Sequence, residues 1–228
     1  MSRTWTSPNH GDRKGHSVSM AVLHYTGMQS AEEALERLCD VEAQVSAHYV
    51  IEEDGRVHAL VPEDRRAWHA GVSVWGADTD INSVSVGFEI VNPGHEWGYR
   101  PFPAAQISAL IPLLRGTMER HGIPPARVVG HSDVAPGRKE DPGELFPWAQ
   151  LAGEGLAIGP WSGEGHARVP NDAEAAKLLT QIGYGVEAFG LEPSIEAFQR
   201  RFVPAELGQG MTEATRAALA EAAPQFEA

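Results

Sequence analysis

The spacing of apolar positions changes several times along the chain, and each change marks an element. From Ser17 to Gly27, SVSMAVLHYTG is nearly continuous in aliphatic residues and closes on a turn, the pattern of a buried strand. SAEEALERLCD (30–40) switches to helical spacing. Ser30 and Glu33 have the interval of a capping box, in which each side chain satisfies a backbone donor at the helix start. Over 47–61, AHYVIEEDGRVHALV sets Asp54-Gly55 between two β-rich runs, a hairpin signal. SVSVGFEIVN (83–92) reads as another strand. PAAQISALIPLLRGTMERHG (103–122) reads as a helix that Pro112 is expected to kink or divide. ARVVGHSDV (126–134) is a short strand feeding a loop. Strands and helices interleave around a hairpin, which predicts an α/β fold with a mixed β-sheet.

Beyond residue 150 the pattern loosens. LAGEGLAIGPWSGEGHARVP (151–170) is rich in glycine and small residues and is expected to be a linker. Three helical patterns follow, near 172–183, 193–202 and 212–222. The expected organisation is a main domain over 1–150, a linker over 151–170 and a small three-helix domain over 171–228.

Composition narrows the function. The chain of 228 residues carries 18 basic and 31 acidic side chains, a net charge of −13. That argues against nucleic-acid binding, which needs a basic face to displace counterions. Cys39 is the one cysteine, so no disulfide forms within the chain, which fits a reducing compartment. No stretch approaches the ~20 apolar residues of a membrane span. The polar start MSRTWTSPNHGDRKGHS favours the cytoplasm. The periplasm or cell envelope is the alternative should a leader have been removed.

Paired Cys or His ligands at close spacing are absent, as is an HExxH helix motif. A metal site would therefore be assembled from distant segments. His24 ends the first strand, His131 follows the strand VVG, and Asp141 lies ten positions further on. Two imidazoles and a carboxylate leave one tetrahedral position for water, the count of a catalytic zinc site. Pro136, Gly137, Pro142 and Gly143 can fold the loop back on itself. With ten histidines in the chain, strand-end histidines also arise without a metal. Asp133, Glu140 and Glu144 read as solvated loop charges, and Asp141 can be one too. His10, His16, His95, His121 and His166 show no partner in the sequence.

Four segments in order, LHYTG, SAHYVIEEDGRVHALVPEDRRAWHAG, NSVSVGFEIVN and GHSDVAPGRKEDPG, carry a resemblance. From about Val18 to Trp148 the chain resembles the zinc N-acetylmuramoyl-L-alanine amidases of the type 2 amidase and peptidoglycan-recognition-protein superfamily. The resemblance implies a central mixed sheet flanked by helices and one Zn²⁺ held by His24, His131 and Asp141. It implies Glu89 of GFEIVN as catalytic glutamate and Lys139 as catalytic lysine. Members are described as cleaving the amide between the lactyl group of N-acetylmuramic acid and L-alanine of the stem peptide. The implied partners are muropeptides, with or without a 1,6-anhydro end, or wall peptidoglycan. A glutamate between Phe88 and Ile90 fits a working role, since burying it idle is costly. His48 stands where some relatives carry a catalytic tyrosine, so a pocket-floor role is equally open. Tyr25, Trp68, His69, Ala70 and Asn82 match pocket walls, with ordinary packing as the other reading. Arg138 can meet a stem-peptide carboxylate or stand as rim charge. The rival functions are a non-catalytic peptidoglycan receptor and a zinc peptidase of other specificity.

The tail, with AAKLLTQIGYG and SIEAFQRRFVPAELGQGMTEATRAALAEA, is similar to the three-helix peptidoglycan-binding module found beside wall hydrolases. It lacks that module's usual Asp-Gly turn. A helical cap packed on the main domain is the alternative.

Overall fold

The computed structural model describes residues 4–163 and 169–226. Strand β1 (Met20–Tyr25) is followed by helix α1 (Ala31–Cys39) and the hairpin β2 (Tyr49–Ile51) and β3 (Val57–Ala59). A helical turn, α2 (Ile81–Val84), runs directly into β4 (Ser85–Ile90). Helix α3 (Ala104–His121), β5 (Val128–Gly130), the turn α4 (His131–Val134) and α5 (Trp148–Gly153) follow. The sheet order is β3-β2-β4-β1-β5. Within this five-stranded sheet β1 pairs parallel with β4 and β5, β2 pairs parallel with β4, and the β2–β3 hairpin is antiparallel. The mixed sheet flanked by helices is thus observed.

Alternation along the strands gives the two faces different work. Ala21, Leu23, Val86, Phe88 and Ile90 point to one side and share a core with Ile107, Leu110, Leu114 and Met118 of α3. Met20 and Val22 point to the other side. On that second face β4 presents Ser85, Gly87 and Glu89, and β1 presents His24.

Local chemistry explains the boundaries. Ser30 caps α1 by accepting the Glu33 N–H at 3.2 Å. The strand expected from residue 83 begins at Ser85, because Ser85 Oγ bonds back to the Ile81 carbonyl at 2.6 Å and closes the α2 turn. Pro112 does not divide α3, which runs unbroken. Pro112 and Ser108, whose carbonyl loses its helical partner, are both exposed, so water can take that carbonyl.

Helices α6 (Asp172–Ile182), α7 (Leu191–Phe202) and α8 (Glu213–Ala222) stand where the sequence predicts them. Asn171 and Glu174 form a capping box at α6, and Thr212 caps α8. Their apolar faces share one core with the second face of the sheet: Leu179, Phe198, Phe202 and Leu219, with Tyr184 from the α6–α7 connection, pack with Met20, Val22, Trp75, Val129 and Val134. Burial of a side chain such as Phe198 or Phe202 contributes about 2–3 kcal/mol. The first part of the expected linker is also packed, with Leu151 in α5 and Leu156 and Ala157 buried against the α3 side. His166 lies outside the described residues. Among the described residues no helix is long and apolar enough to cross a membrane.

Candidate metal centre and active site

The parallel register sets His24 of β1 directly beside Glu89 of β4 on one face. On the other side of β1, β5 stops at Gly130, and His131 opens the α4 turn at the same sheet edge. The loop after α4 then returns Asp141, whose carbonyl accepts the Ser132 N–H at 2.8 Å. Three buried atoms converge: His24 Nδ1 lies 3.0 Å from His131 Nδ1 and 2.9 Å from Asp141 Oδ2, and His131 Nδ1 lies 3.0 Å from Asp141 Oδ2.

What lies between these atoms follows from the other ring nitrogens. The Ser85 hydroxyl hydrogen is directed to the Ile81 carbonyl, so Ser85 Oγ accepts from His69 Nε2 at 3.1 Å. His69 Nδ1 is then an acceptor, and His24 Nε2 donates to it at 3.0 Å. His131 Nε2 donates to the Ala70 carbonyl at 2.9 Å. Burial pushes His24 down to about 4 and holds His69 well below the usual imidazole range. With their Nε2 protons committed in this way, the Nδ1 atoms of His24 and His131 carry bare lone pairs aimed at a carboxylate oxygen. That arrangement is repulsive unless a cation sits among the three. Tetrahedral zinc with ligands at about 2.0–2.1 Å needs donors about 3.3 Å apart, close to the spacing here. The donor set therefore fits zinc.

The three atoms open into a cavity of about 580 Å³ that Glu89, Lys139, Tyr25, Trp68, His69 and Arg138 also line. Glu89 Oε2 is buried without a hydrogen-bond partner among the described residues. Burial, reinforced by the Asp141 charge and opposed by Lys139, raises the Glu89 carboxyl well above the usual carboxylate range. Lys139 is exposed at the cavity and makes no ion pair among the described residues.

Residues 14–144 match the Amidase_2 family model, N-acetylmuramoyl-L-alanine amidase. The chain belongs to this family. The N-acetylmuramoyl-L-alanine amidase AmiD of Escherichia coli is 38% identical over 232 residues, spanning 90% of this chain and 82% of AmiD. The AmiD structure, a complex with the substrate anhydro-N-acetylmuramic acid-L-Ala-D-gamma-Glu-L-Lys, has a TM-score of 0.79 at 33% identity, covering 96% of this chain and 91% of AmiD. AmpDh3 of Pseudomonas aeruginosa gives a TM-score of 0.83 at 30% identity and covers 100% of this chain and 97% of its own. The 1,6-anhydro-N-acetylmuramyl-L-alanine amidase AmpD of Enterobacter cloacae is 37% identical over 107 residues, 47% of this chain and 55% of AmpD.

In this amidase not every expected wall residue reaches the cavity. Tyr25, Trp68, His69 and Arg138 do; His48, Ala70 and Asn82 stand behind it. Asn82 Oδ1 accepts the N–H groups of His69 and Ala70 at 3.0 and 2.8 Å and so fixes that segment. His48 is fully buried, with Nδ1 accepting the Gly87 N–H at 2.9 Å and Nε2 3.0 Å from Arg13. Arg138 holds the 70–72 segment by donating to the Val72 carbonyl at 3.0 Å and the Ala70 carbonyl at 2.5 Å.

Three features of the amidase escaped the sequence. Arg37 of α1 and Glu96 line the cavity, and nothing local marks either. His95 has partners after all: it meets Tyr25 Oη at 3.0 Å and Glu144 at 3.1 Å and stacks on Tyr99. The expectation that Asp133 is a solvated charge is wrong, since Asp133 is 0% exposed and paired with Arg201 at 2.8 Å. The signal was on the partner: Arg201 sits in FQRRF between aromatic residues that face a core, and a cation there needs an anion.

Proposed function

We propose that this amidase uses zinc at His24, His131 and Asp141 to hydrolyse the amide joining the lactyl group of N-acetylmuramic acid, with or without a 1,6-anhydro end, to L-alanine of the stem peptide. The observation that carries this reading is the convergence of three bare lone pairs beside an unpartnered Glu89 oxygen in one cavity. The substrates named for AmiD and AmpD support the bond chosen.

When bound, zinc supplies a Lewis acid that polarises the amide carbonyl and makes water a competent nucleophile near neutral pH. The remaining work falls to the chain. Glu89 takes the proton of the attacking water on its carboxylate and delivers it to the leaving nitrogen of L-alanine. Its raised pKa helps Glu89 to hold the proton between the water and the leaving nitrogen. Lys139, free of ion pairs among the described residues, turns its ammonium to the oxygen that gains charge as the carbonyl becomes tetrahedral. His69 and Ala70 keep the two ligand rings in the tautomers that leave Nδ1 free.

The test is release of free stem peptide, followed by mass spectrometry, from zinc-loaded protein incubated with soluble anhydro-muropeptides, muropeptides with a reducing end, and intact sacculi. Release from at least one is expected. Absence of release from all three with zinc bound stoichiometrically would overturn the proposed bond in favour of a zinc peptidase of other specificity, and absence of both release and zinc would make the protein a receptor.

A further inference from the structure

The loop between the second and third ligands rests on α7, which touches it at three places. Near His131, the buried Asp133 accepts the Gly130 N–H at 2.8 Å, the Tyr184 hydroxyl at 2.7 Å and Arg201 Nη1 at 2.8 Å. Arg201 is itself 2% exposed, lies 4.0 Å over the Trp148 ring and donates to the Val128 carbonyl of β5 at 3.2 Å. At mid-loop, Pro193 packs on Gly137 so closely that a Cβ there would come within 3.0 Å. Near Asp141, Arg200 donates to Glu140 at 3.2 Å and lies 3.6 Å from Glu144. Consecutive arginines of one helix thus reach the residues flanking both ligands that the loop supplies.

We infer that α7 is the template on which the metal loop is set, with Arg201 and Tyr184 positioning His131 through Asp133, and Arg200 positioning Asp141 through Glu140. The inference rests on the reading of His24, His131 and Asp141 as metal ligands. It gives the C-terminal helices a role in the amidase centre that needs no glycan. Every polar atom of the Asp133 carboxylate is used: Oδ2 holds the backbone at Gly130 and Arg201, and Oδ1 holds Tyr184. The turn carrying His131 therefore cannot shift without breaking a buried ion pair, and the pair cannot shift without moving α7. Packing shared by Val134, Phe198 and Phe202 leaves little slack.

The experiment measures zinc affinity of the full chain by chelator competition, the absorption bands of the cobalt(II)-loaded protein, and thermal unfolding of the metal-free protein. Stoichiometric zinc in the unsubstituted protein tests the metal reading separately. Tyr184→Phe, Arg200→Gln and the paired Asp133→Asn with Arg201→Met, which removes both charges together, are then compared with it. Each is expected to weaken zinc binding about 10-fold, the usual effect of loosening groups that orient ligands, and to alter the cobalt bands that report ligand geometry. Affinities within twofold of the unsubstituted protein with unaltered cobalt bands would overturn the inference. So would losses that merely follow the unfolding temperature of the metal-free protein. Should the paired variant fail to fold, Tyr184→Phe, which is nearly isosteric, and Arg200→Gln, on the less buried arginine, decide the matter.

Discussion

Gly87→Ala is a one-carbon probe of how His24, the proposed zinc ligand, is held. Gly87 lies in β4, paired on both sides, and its side-chain direction points into the His69 ring. A Cβ there would stand 2.5 Å from His69 Cγ, 2.6 Å from Cδ2 and 2.7 Å from Nδ1. Ordinary carbon contacts are about 3.5–4.0 Å, so the ring must retreat about 1 Å or the strand must bend. Nδ1 is the atom that accepts from His24 Nε2 at 3.0 Å, and such a retreat takes it out of hydrogen-bond reach. Overpacking costs about 1–3 kcal/mol and a buried hydrogen bond left unmade about 1–3 more. The sum, about 2–6 kcal/mol, lowers Tm by about 4–24 °C for a chain of this size. Losing the partner of a ligand imidazole lowers zinc affinity about 10–100-fold. Differential scanning calorimetry with and without chelator, and competition with a chromogenic chelator, read the two quantities separately. Unchanged zinc affinity in Gly87→Ala would refute the idea that the His69 bond maintains the ligand geometry of His24.

Glu89→Ala is expected to keep stoichiometric zinc and lose about 10²–10⁴-fold in turnover, read by metal analysis and muropeptide assay together; loss of zinc as well would make Glu89 a ligand or a structural group. Lys139→Ala is expected to cut kcat about 10²–10³-fold with zinc affinity unchanged, and equal kcat would remove it from the oxyanion. Burial alone would raise Glu63, but hydrogen bonds from Arg120, His121, Tyr49 and Thr117 outweigh it and hold the carboxyl at about 2. Its stabilisation is therefore complete above about pH 4.5 and lost as pH falls through about 2. After screening at the half-exposed Arg120 it amounts to about 1–2 kcal/mol. Urea midpoints of Glu63→Gln and the unsubstituted protein should differ by that much at neutral pH and converge towards pH 2. A gap that persists at low pH would assign the effect to packing.

How much of the site is legible in the chain depends on how far apart its partners are. His24, Glu89 and His131 each sit at or just past the end of an apolar strand, a local pattern, and GHSDVAPGRKEDPG is distinctive as a unit. Register is not local: that His24 faces Glu89, and that both share a face with Gly87, depends on how β1 pairs with β4. Nothing local marks Asp133 as buried, because its side-chain partners are 51 and 68 residues away. Arg138 offered two plausible uses, and a third, holding the 70–72 carbonyls, came from a loop far back in the chain. Pro112 shows a rule applied without its exposure condition, since its cost falls away where the orphaned carbonyl meets water.

The topology also explains why the chemistry gathers where it does. β4, β1 and β5 are parallel neighbours, so their carboxyl ends fall on one sheet edge, where open α/β sheets hold their ligands. Alternation then assigns the face: Ala21 and Leu23 fill the α3 side, which sends His24 with Met20 and Val22 to the opposite side. That opposite face would be half exposed if α6, α7 and α8 did not cover its lower part with Leu179, Phe198, Phe202 and Leu219. The cavity lined by His24, Glu89, His131 and Asp141 stays open at the carboxyl ends of these strands. Burial at this end of the sheet raises Glu89 and lowers His24. The helices beyond residue 170 therefore pack against the sheet face that carries the candidate site without lining its cavity.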